Sequence, residues 1–490
     1  MTTTERPPTD TSTPTDLPPP RRQKSAGWFP QLLLRLHFYA GILVGPFILI
    51  AATSGALYAL TPQLEQVVYS HELHAPVSDA SLPLADQVDA ANAYIGGDET
   101  IAAVRPAPNP GDTTRVMYAD PNLGESETRA IFIDPATAEI RGDLTAYGTS
   151  GALPLRTWID QLHRNLHLGD VGRLYSELAA SWLGVIVLAG LGLWIARIRK
   201  ARKKKDFVRP NNGYTGYRRI FTWHTSTGIW LLVGALFLSA TGITWSQYGG
   251  ANVSNLRAAL DWGTPSVNTD LSGADTGAAD EHAGHGGHSG HGAAPEGTDT
   301  VSANPATFDA MLSISQEVNV NTGLVEIRPP AAAGTAWVVQ EIQRSFPTEV
   351  DAVSIDGQTM QVVDRVDFKD FTLAAKLSRW GIDTHMGSMF GLPNKILLLI
   401  TALGIMAMVV WGYVMWWKRR PTQDPARRVG KPASRGAIAR APWWGVVAVL
   451  AVAAVIGVFL PLLGISLALF LIVDTIVGVA RRRRTPRVTP

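Results

Sequence analysis

Long apolar runs are the feature that most constrains how this chain can fold. A helix needs about 20 apolar residues to cross the roughly 30 Å hydrocarbon core of a bilayer. Four apolar runs, at 30–60, 178–197, 220–245 and 396–417, each predict one membrane-spanning helix. A fifth run, 442–480, is too long for one crossing and contains Pro461 and Gly464 near its middle, so it predicts two short helices.

Basic residues stand in blocks beside these runs and predict the orientation of the helices. Lys and Arg are enriched in the cytoplasmic loops of membrane proteins, so each block should lie in the cytoplasm. This requires six helices with both termini in the cytoplasm, and two polar segments, 61–177 and 246–395, that face outward. The segments predicted to be cytoplasmic are a disordered tail (1–27), two basic loops (198–219 and 418–441) and a basic tail (481–490).

The amino-acid composition limits the partners and cofactors that the chain can bind. Charged residues make up 17% of the chain, below the roughly 25% of soluble proteins, as a membrane protein requires. The net charge of +2 argues against nucleic acid as a partner, because a nucleic-acid-binding domain presents a basic face. The absence of cysteine excludes disulfides, thiolate nucleophiles, iron–sulfur clusters and covalently attached haem c.

The sequence repeats itself in a way that predicts two related halves. His37-Phe-Tyr-Ala-Gly41 matches His224-Thr-Ser-Thr-Gly228, and Ser54-Gly55 matches Thr241-Gly242 with the same offset along the chain. Another match pairs His167-Leu-Gly169 with His385-Met-Gly387. Apolar helices can resemble each other by chance, but chance does not explain histidines in register. We infer a duplication with parallel halves, which places equivalent residues at equal depth.

His37 and His224 are predicted to form a pair near the cytoplasmic face. An ionisable residue inside a bilayer is a functional candidate, and the repeat makes these two histidines partners. Two imidazoles with no neighbouring carboxylate favour an iron held by a porphyrin over zinc, so we predict a haem b between them. Arg35, Arg218 and Arg219 are then expected near its propionates. The alternative is that each histidine is a structural, hydrogen-bonded residue.

His167 and His385 are predicted to form a second haem site at the outer interface, with Arg173 and Lys395 near the propionates. His163 is an alternative ligand because it lies four residues before His167, on the same helical face. The repeat, aligned on the His-x-Gly motif, favours His167. Met386 and Met389 are further candidate ligands.

These motifs together resemble the PepSY-associated transmembrane helix family, which includes iron-regulated membrane proteins and ferric-siderophore reductases of the bacterial inner membrane. The resemblance covers about residues 30–420 and includes His163-Arg-Asn-Leu-His167 and the basic end at Trp416–Arg420. It implies an α-helical membrane protein with two extracytoplasmic α+β PepSY-like domains. It also implies the activity of a b-type dihaem reductase. The two outer segments resemble PepSY domains.

The leading functional hypothesis is therefore a metalloreductase in the lipid bilayer that passes electrons outward to a ferric chelate or a ferric or cupric ion. The chain has no nucleotide-binding glycine motif, so a quinol or a cytoplasmic flavin reductase must supply the electrons. One rival is a non-enzymatic PepSY module that binds a partner outside the cell, with the helices serving as its anchor. The other is a metal transporter.

A histidine-rich insertion, 263–305, has no counterpart in the first half. Such a polar, glycine-rich run cannot build a core and predicts a disordered outer loop. Neutral imidazoles bind copper, zinc and other transition metals, so we predict an accessory metal site that concentrates a metal ion near the outer haem. The alternative is a linker with no selected binding. The candidate ligands are His282, His285, His288 and His291.

Overall fold

The computed structural model describes residues 27–96, 99–272, 303–419, 435 and 437–484. Its helices are α1 (Trp28–Leu43), α2 (Gly45–Val68), α3 (Ser70–Leu73), α4 (Leu84–Ile95), α5 (Pro154–Asn165), α6 (Gly169–Ile198), α7 (Gly216–Trp230), α8 (Leu232–Thr244), α9 (Tyr248–Ala259), α10 (Pro305–Glu317), α11 (Leu373–His385), α12 (Gly391–Lys418), α13 (Trp443–Phe459) and α14 (Pro461–Arg484). Its strands are β1 (Ile101–Arg105), β2 (Thr114–Tyr118), β3 (Glu127–Ile133), β4 (Ile140–Tyr147), β5 (Val325–Arg328), β6 (Trp337–Glu341), β7 (Ala352–Ile355) and β8 (Val362–Val366).

Three single helices, α2, α6 and α12, are long and apolar enough to span a membrane, and the bent pair α7–α8 makes a fourth candidate. Each of the four overlaps one of the four long apolar runs, although α2 covers only the second half of the first predicted span, 30–60, and extends beyond it. α13 and the apolar part of α14 (Pro461–Val477) are shorter apolar helices, so a fifth and a sixth span stay a prediction. The core of the bundle joins all four candidates to α1 and α14 through buried residues such as Ile48, Trp182, Ala235, Ile405 and Leu463.

The first span is divided at Val44, between α1 and α2, and the cause is Pro46. Proline has no amide hydrogen, so the carbonyl four residues earlier, that of Ile42, loses its helical donor. Inside a bilayer this carbonyl needs another donor. The Tyr413 hydroxyl of α12 supplies it, because it donates a 2.6 Å hydrogen bond to the Ile42 oxygen. The division is therefore tied to the packing of α2 on α12.

The third span is bent by 62° between α7 and α8. Leu231 lies at the bend, and its side chain packs against Gly404 of α12. A Cβ atom at Gly404 would lie 2.5 Å from Leu231 Cδ1, so glycine lets the two helices approach closely with Leu231 in this position. The bend turns α7, which carries His224, away from the axis of α8.

The strands of both outward segments form one antiparallel sheet of eight strands, in the order β4-β3-β2-β1-β5-β6-β7-β8. The two halves meet where β1 pairs with β5, with Val104 opposite Ile327. The sequence predicts one PepSY-like domain in each segment. The structure instead joins the strands of both segments edge to edge, because a four-stranded half would leave β1 unpaired.

Each half of the sheet contributes one helix to a shared core. α4 and α10 pack against each other and on one face of the sheet, where Val88, Phe308 and Met311 are fully buried. The opposite face of the first half packs on Tyr69 and Leu73, which follow the end of α2. The sheet is thus seated on the end of the helix bundle that is predicted to face outward.

The last helix is held to the bundle by an ion pair whose arginine is buried. Arg35 of α1 donates to Asp474 of α14 at 2.7 Å, and Arg435 contacts the other carboxylate oxygen at 3.1 Å. Arg35 is buried, so its guanidinium needs this counter-charge. The pair brings a carboxylate into the membrane part of the chain, which the hydropathy pattern does not reveal.

Replacing Asp474 with asparagine should loosen the docking of α14. Loss of the charge that Arg35 contacts on α14 should lower the free energy of unfolding by about 1–3 kcal/mol. The measurement is the thermal unfolding midpoint of the detergent-solubilised protein. Thr475→Val is the matched control, because the Thr475 hydroxyl donates only within its own helix, to Leu471. An Asp474→Asn variant with the midpoint of the control would contradict the expectation.

Candidate functional site

The structure brings His37 and His224 together, as the repeat predicts. His37 lies on α1 and His224 on α7, and their ring centroids are 6.1 Å apart with the ring planes at 80°. The two histidines come from the two halves of the chain. They therefore form a two-imidazole site with one ring from each half.

The surroundings of the two rings differ. His37 Nδ1 is 2.9 Å from the backbone oxygen of Ile186 on α6, and because a carbonyl only accepts, Nδ1 is the donor. The Nε2 atom of His37 is then the nitrogen with a free lone pair. His224 Nδ1 is buried without a partner in good hydrogen-bond geometry, although the Met408 backbone lies nearby. Gly190 permits the close approach of α6, since a Cβ atom there would lie 3.1 Å from His37 Cε1.

The second pair is formed by His163 of α5 and His385 of α11. His163 Nδ1 is 3.0 Å from the Ser54 hydroxyl on α2, and His385 Nδ1 is 2.6 Å from the Thr241 hydroxyl on α8. Ser54 and Thr241 are equivalent positions of the repeat, with the same offset that relates His37 to His224. The two histidines therefore make the same contact in the two halves.

His167 does not occupy the position predicted for it. It lies after the end of α5 with φ 56°, is exposed, and packs on Trp158 at 5.0 Å between ring centroids. His163, and not His167, lines the same cavity as His385. The reason is the turn length: residues 166–168 separate α5 from α6, whereas residues 386–390 separate α11 from α12.

The sequence contains a second register between the two halves. Gly169 and Gly391 both start a helix with a positive φ, and they define a second offset between the halves. Arg173 and Lys395 are related by this same offset. It also pairs His163 with His385. Aligning the helices, instead of the short His-x-Gly motif, therefore selects His163.

A cavity of about 450 Å³ lies between the helices at this outer pair. Both His163 and His385 line it, and most of the remaining wall is apolar. Glycines keep the wall clear of side chains. A Cβ atom at Gly55 would lie 3.2 Å from His163 Cε1, and one at Gly242 would lie 3.2 Å from Ala180 Cβ. The cavity also receives three basic side chains, Arg164, Arg173 and Arg344.

The three basic residues expected near the inner pair have the following surroundings. Arg35 pairs with Asp474, and Arg218 and Arg219 are exposed at the start of α7. On the outer side the expectation holds in part, because Arg173 lines the cavity of the histidines. Lys395 lines a neighbouring cavity instead.

The proposed ligands of the accessory metal site, His282 to His291, lie outside the described residues. Within the described part of the chain, no group of three or more His, Asp or Glu side chains is arranged to hold a metal ion. The accessory site stays a prediction.

A second cavity, of about 540 Å³, lies between the sheet and the helix ends. It adjoins the cavity of the outer histidines, and the shared wall contains Thr149, Ser150, Arg344 and Met386. Five cationic side chains line this second cavity: Arg105, Arg115, Arg156, Arg344 and Lys395.

A bundle of membrane helices with paired histidines, capped by an antiparallel sheet, defines this chain as an integral membrane protein. The family model for the PepSY-associated TM region matches residues 34–419, which is most of the chain. The protein belongs to this family, as the sequence motifs indicate. A comparison with curated proteins gives no significant match.

Proposed function

We propose that this protein holds two b-type haems and passes electrons through them to a ferric chelate outside the cytoplasm. The observation that supports this most is the presence of two histidine pairs, each with one member from each half of the chain. The proposal keeps the predicted topology: six spans, two PepSY-like segments, both termini in the cytoplasm, and the inner membrane of a bacterium. Metalloreductase is the corresponding class of enzyme.

The inner pair fits a metal held by two imidazoles. Two metal–imidazole bonds of about 2 Å each place the ring centres on the order of 6 Å apart. The His37 and His224 centroids are separated by 6.1 Å. The carbonyl of Ile186 fixes the tautomer of His37, which is the usual arrangement behind a metal-binding histidine. His224 Nδ1 is buried with no partner in good hydrogen-bond geometry, so this ring also has a nitrogen atom available to a ligand.

The outer pair fits for the same reasons. The Ser54 and Thr241 hydroxyls each contact the Nδ1 atom of one histidine, so the Nε2 atoms of His163 and His385 are the proposed ligand atoms. The largely apolar cavity beside them offers room for a flat ring system.

Bound haem would supply one-electron redox chemistry. The chain's own contribution is to hold the imidazoles and to line the cavity of the outer pair largely with apolar side chains. Arg164, Arg173 and Arg344 bring positive charge to the outer cavity, where carboxylates of a cofactor would be neutralised. The proposed electron donor is a quinol or a cytoplasmic flavin reductase.

The proposed acceptor is a ferric chelate, because adding one electron to Fe(III) gives the softer Fe(II), which hard oxygen ligands hold less tightly. Cupric ion is the alternative acceptor. In each reaction the donor gives up one electron and one ferric ion accepts it. The ferric ion becomes ferrous and leaves the chelate.

The visible spectrum of the purified protein tests this proposal. We expect a dithionite-reducible b-type Soret and α band, and reoxidation of the reduced protein when a ferric chelate is added. A double variant, His37→Ala with His224→Ala, should lose one haem. A protein expressed with sufficient haem that shows no such bands would refute the proposal, and a double variant with normal function would favour the membrane-anchored binding module.

A further inference from the structure

The second cavity lies between the sheet and the helix ends and is lined by five cations. The proposed function assigns a role to only one of them, Arg344. Three of its five cations have a carboxylate partner. Arg105 donates to Glu326 at 2.7 Å, and longer contacts join Arg156 to Glu65 (3.7 Å) and Arg344 to Asp383 (3.9 Å). The remaining two cations are Arg115 and Lys395.

Arg115 and Lys395 have no carboxylate within ion-pair distance among the residues that the structure describes. Arg115 donates to the backbone oxygen of Gly151 and lies over the ring of Phe132. Burial, and then the neighbouring Arg105, lower the pKa of Arg115 to about 9, and the more distant carboxylates of Glu65 and Glu326 offset this only in part. The charged group that acts on Lys395 is another cation, Arg156. Asp112 is the single carboxylate among the described lining residues.

Cations that no carboxylate contacts directly attract an anion into a cavity, and charge-assisted hydrogen bonds to carboxylate or phenolate oxygens are strong. The position of the cavity indicates which anion. Its wall is shared with the cavity of the outer histidines, and Met386, the residue after His385, lines both. A ligand in the basic cavity therefore lies next to the proposed site of electron exit.

We propose that the basic cavity is the substrate site and that the substrate is an anionic ferric chelate, with carboxylate or catecholate oxygens, which Arg115 and Lys395 bind. This inference rests on the proposed function and adds the charge class of the substrate. Neutral chelates, such as complexes with three hydroxamates, lack the charge that these two cations recognise.

Binding of gallium(III) citrate to the purified full-length protein, measured by calorimetry, tests this site. Gallium(III) resembles iron(III) in charge and oxygen preference but is not reduced, so the readout is independent of haem. We expect saturable binding that weakens with added salt, and at least about tenfold weaker binding for Lys395→Gln, because one charge-assisted contact is lost. Lys395→Arg should retain binding. Lys376→Gln, which removes a cation of α11 outside the cavity, is the matched control.

The outcomes separate the inference from its rivals. Absence of saturable binding, equal binding of a neutral gallium hydroxamate, or unchanged binding by Lys395→Gln would each overturn it. If Lys395→Gln binds gallium citrate normally but loses haem, the lysine serves a cofactor carboxylate instead, and the inference fails. Gallium binding by a protein without a haem spectrum would refute the reductase proposal and keep the anion site. A haem spectrum without gallium binding would do the reverse.

Discussion

Replacing His163 with alanine is expected to remove one of the two proposed haems, whereas replacing His167 should leave both in place. His163 lines the outer cavity and contacts Ser54, in the same way that His385 contacts Thr241. His167 is exposed after the end of α5. Loss of one of the two proposed imidazole ligands should abolish stable haem binding at that site.

The measurement is a pyridine haemochrome assay that counts haem per chain. We expect about one haem for His163→Ala and for His385→Ala, and two for the wild type and for His167→Ala. His167→Ala is the matched control, since it removes the same side chain four residues away. The reverse result, with haem lost from His167→Ala and kept by His163→Ala, would refute the assignment of the outer pair.

Replacing Glu326 with glutamine is expected to destabilise the junction between the two halves of the sheet. Glu326 of β5 is buried and accepts hydrogen bonds from Arg105 of β1 and Arg328, both at 2.7 Å, and from Gln340 at 3.1 Å. Arg105 would be left buried without its counter-charge. Breaking such a buried pair costs about 3–5 kcal/mol of unfolding free energy.

The same carboxylate predicts a pH dependence. Burial alone would raise the pKa of Glu326, but the guanidinium groups of Arg105 and Arg328 outweigh it and lower the pKa to about 2. The ordinary pKa of a glutamate is 4.5, so the stabilisation is complete above pH 4.5 and is lost as the pH falls from there towards 2.

Thermal unfolding of the wild type and of Glu326→Gln between pH 3 and pH 7 measures both effects. The variant should be less stable at pH 7, and the difference should shrink as the pH falls. Glu317→Gln is the control, because Glu317 is an exposed carboxylate at the end of α10. A constant difference over the whole pH range would contradict the role of the Glu326 charge.

Apolar length and the repeat make part of this structure predictable. α6 and α12 match their predicted spans because a long apolar run has few other stable arrangements in water or lipid. The inner pair is predictable because His37 and His224 lie on equivalent helices. A single difference in residue number relates the matched positions of these helices. An α-helix rises by a fixed distance per residue, so equivalent positions of the two halves lie at equal depths in the membrane.

The remaining features depend on contacts between residues that are distant in the sequence, and no local sequence pattern predicts such contacts. The sequence favours His167 over His163 because the turns after α5 and α11 differ in length, and a short motif that spans a turn loses register. The pairing of β1 with β5 joins strands that are distant in the chain and belong to different halves of the repeat. The Arg35–Asp474 pair likewise needs the last helix to return to the first.

The junction of β1 and β5 has a consequence for the origin of the fold. A protein made of one half alone would end its sheet at an open β1 edge and would carry one histidine of each pair. Open edges associate with other open edges, so two such copies would complete both the sheet and the histidine pairs by forming a symmetric dimer. Fusing the two copies into one chain makes that association permanent. It also frees the halves to diverge, as the histidine-rich insertion in only one of them illustrates.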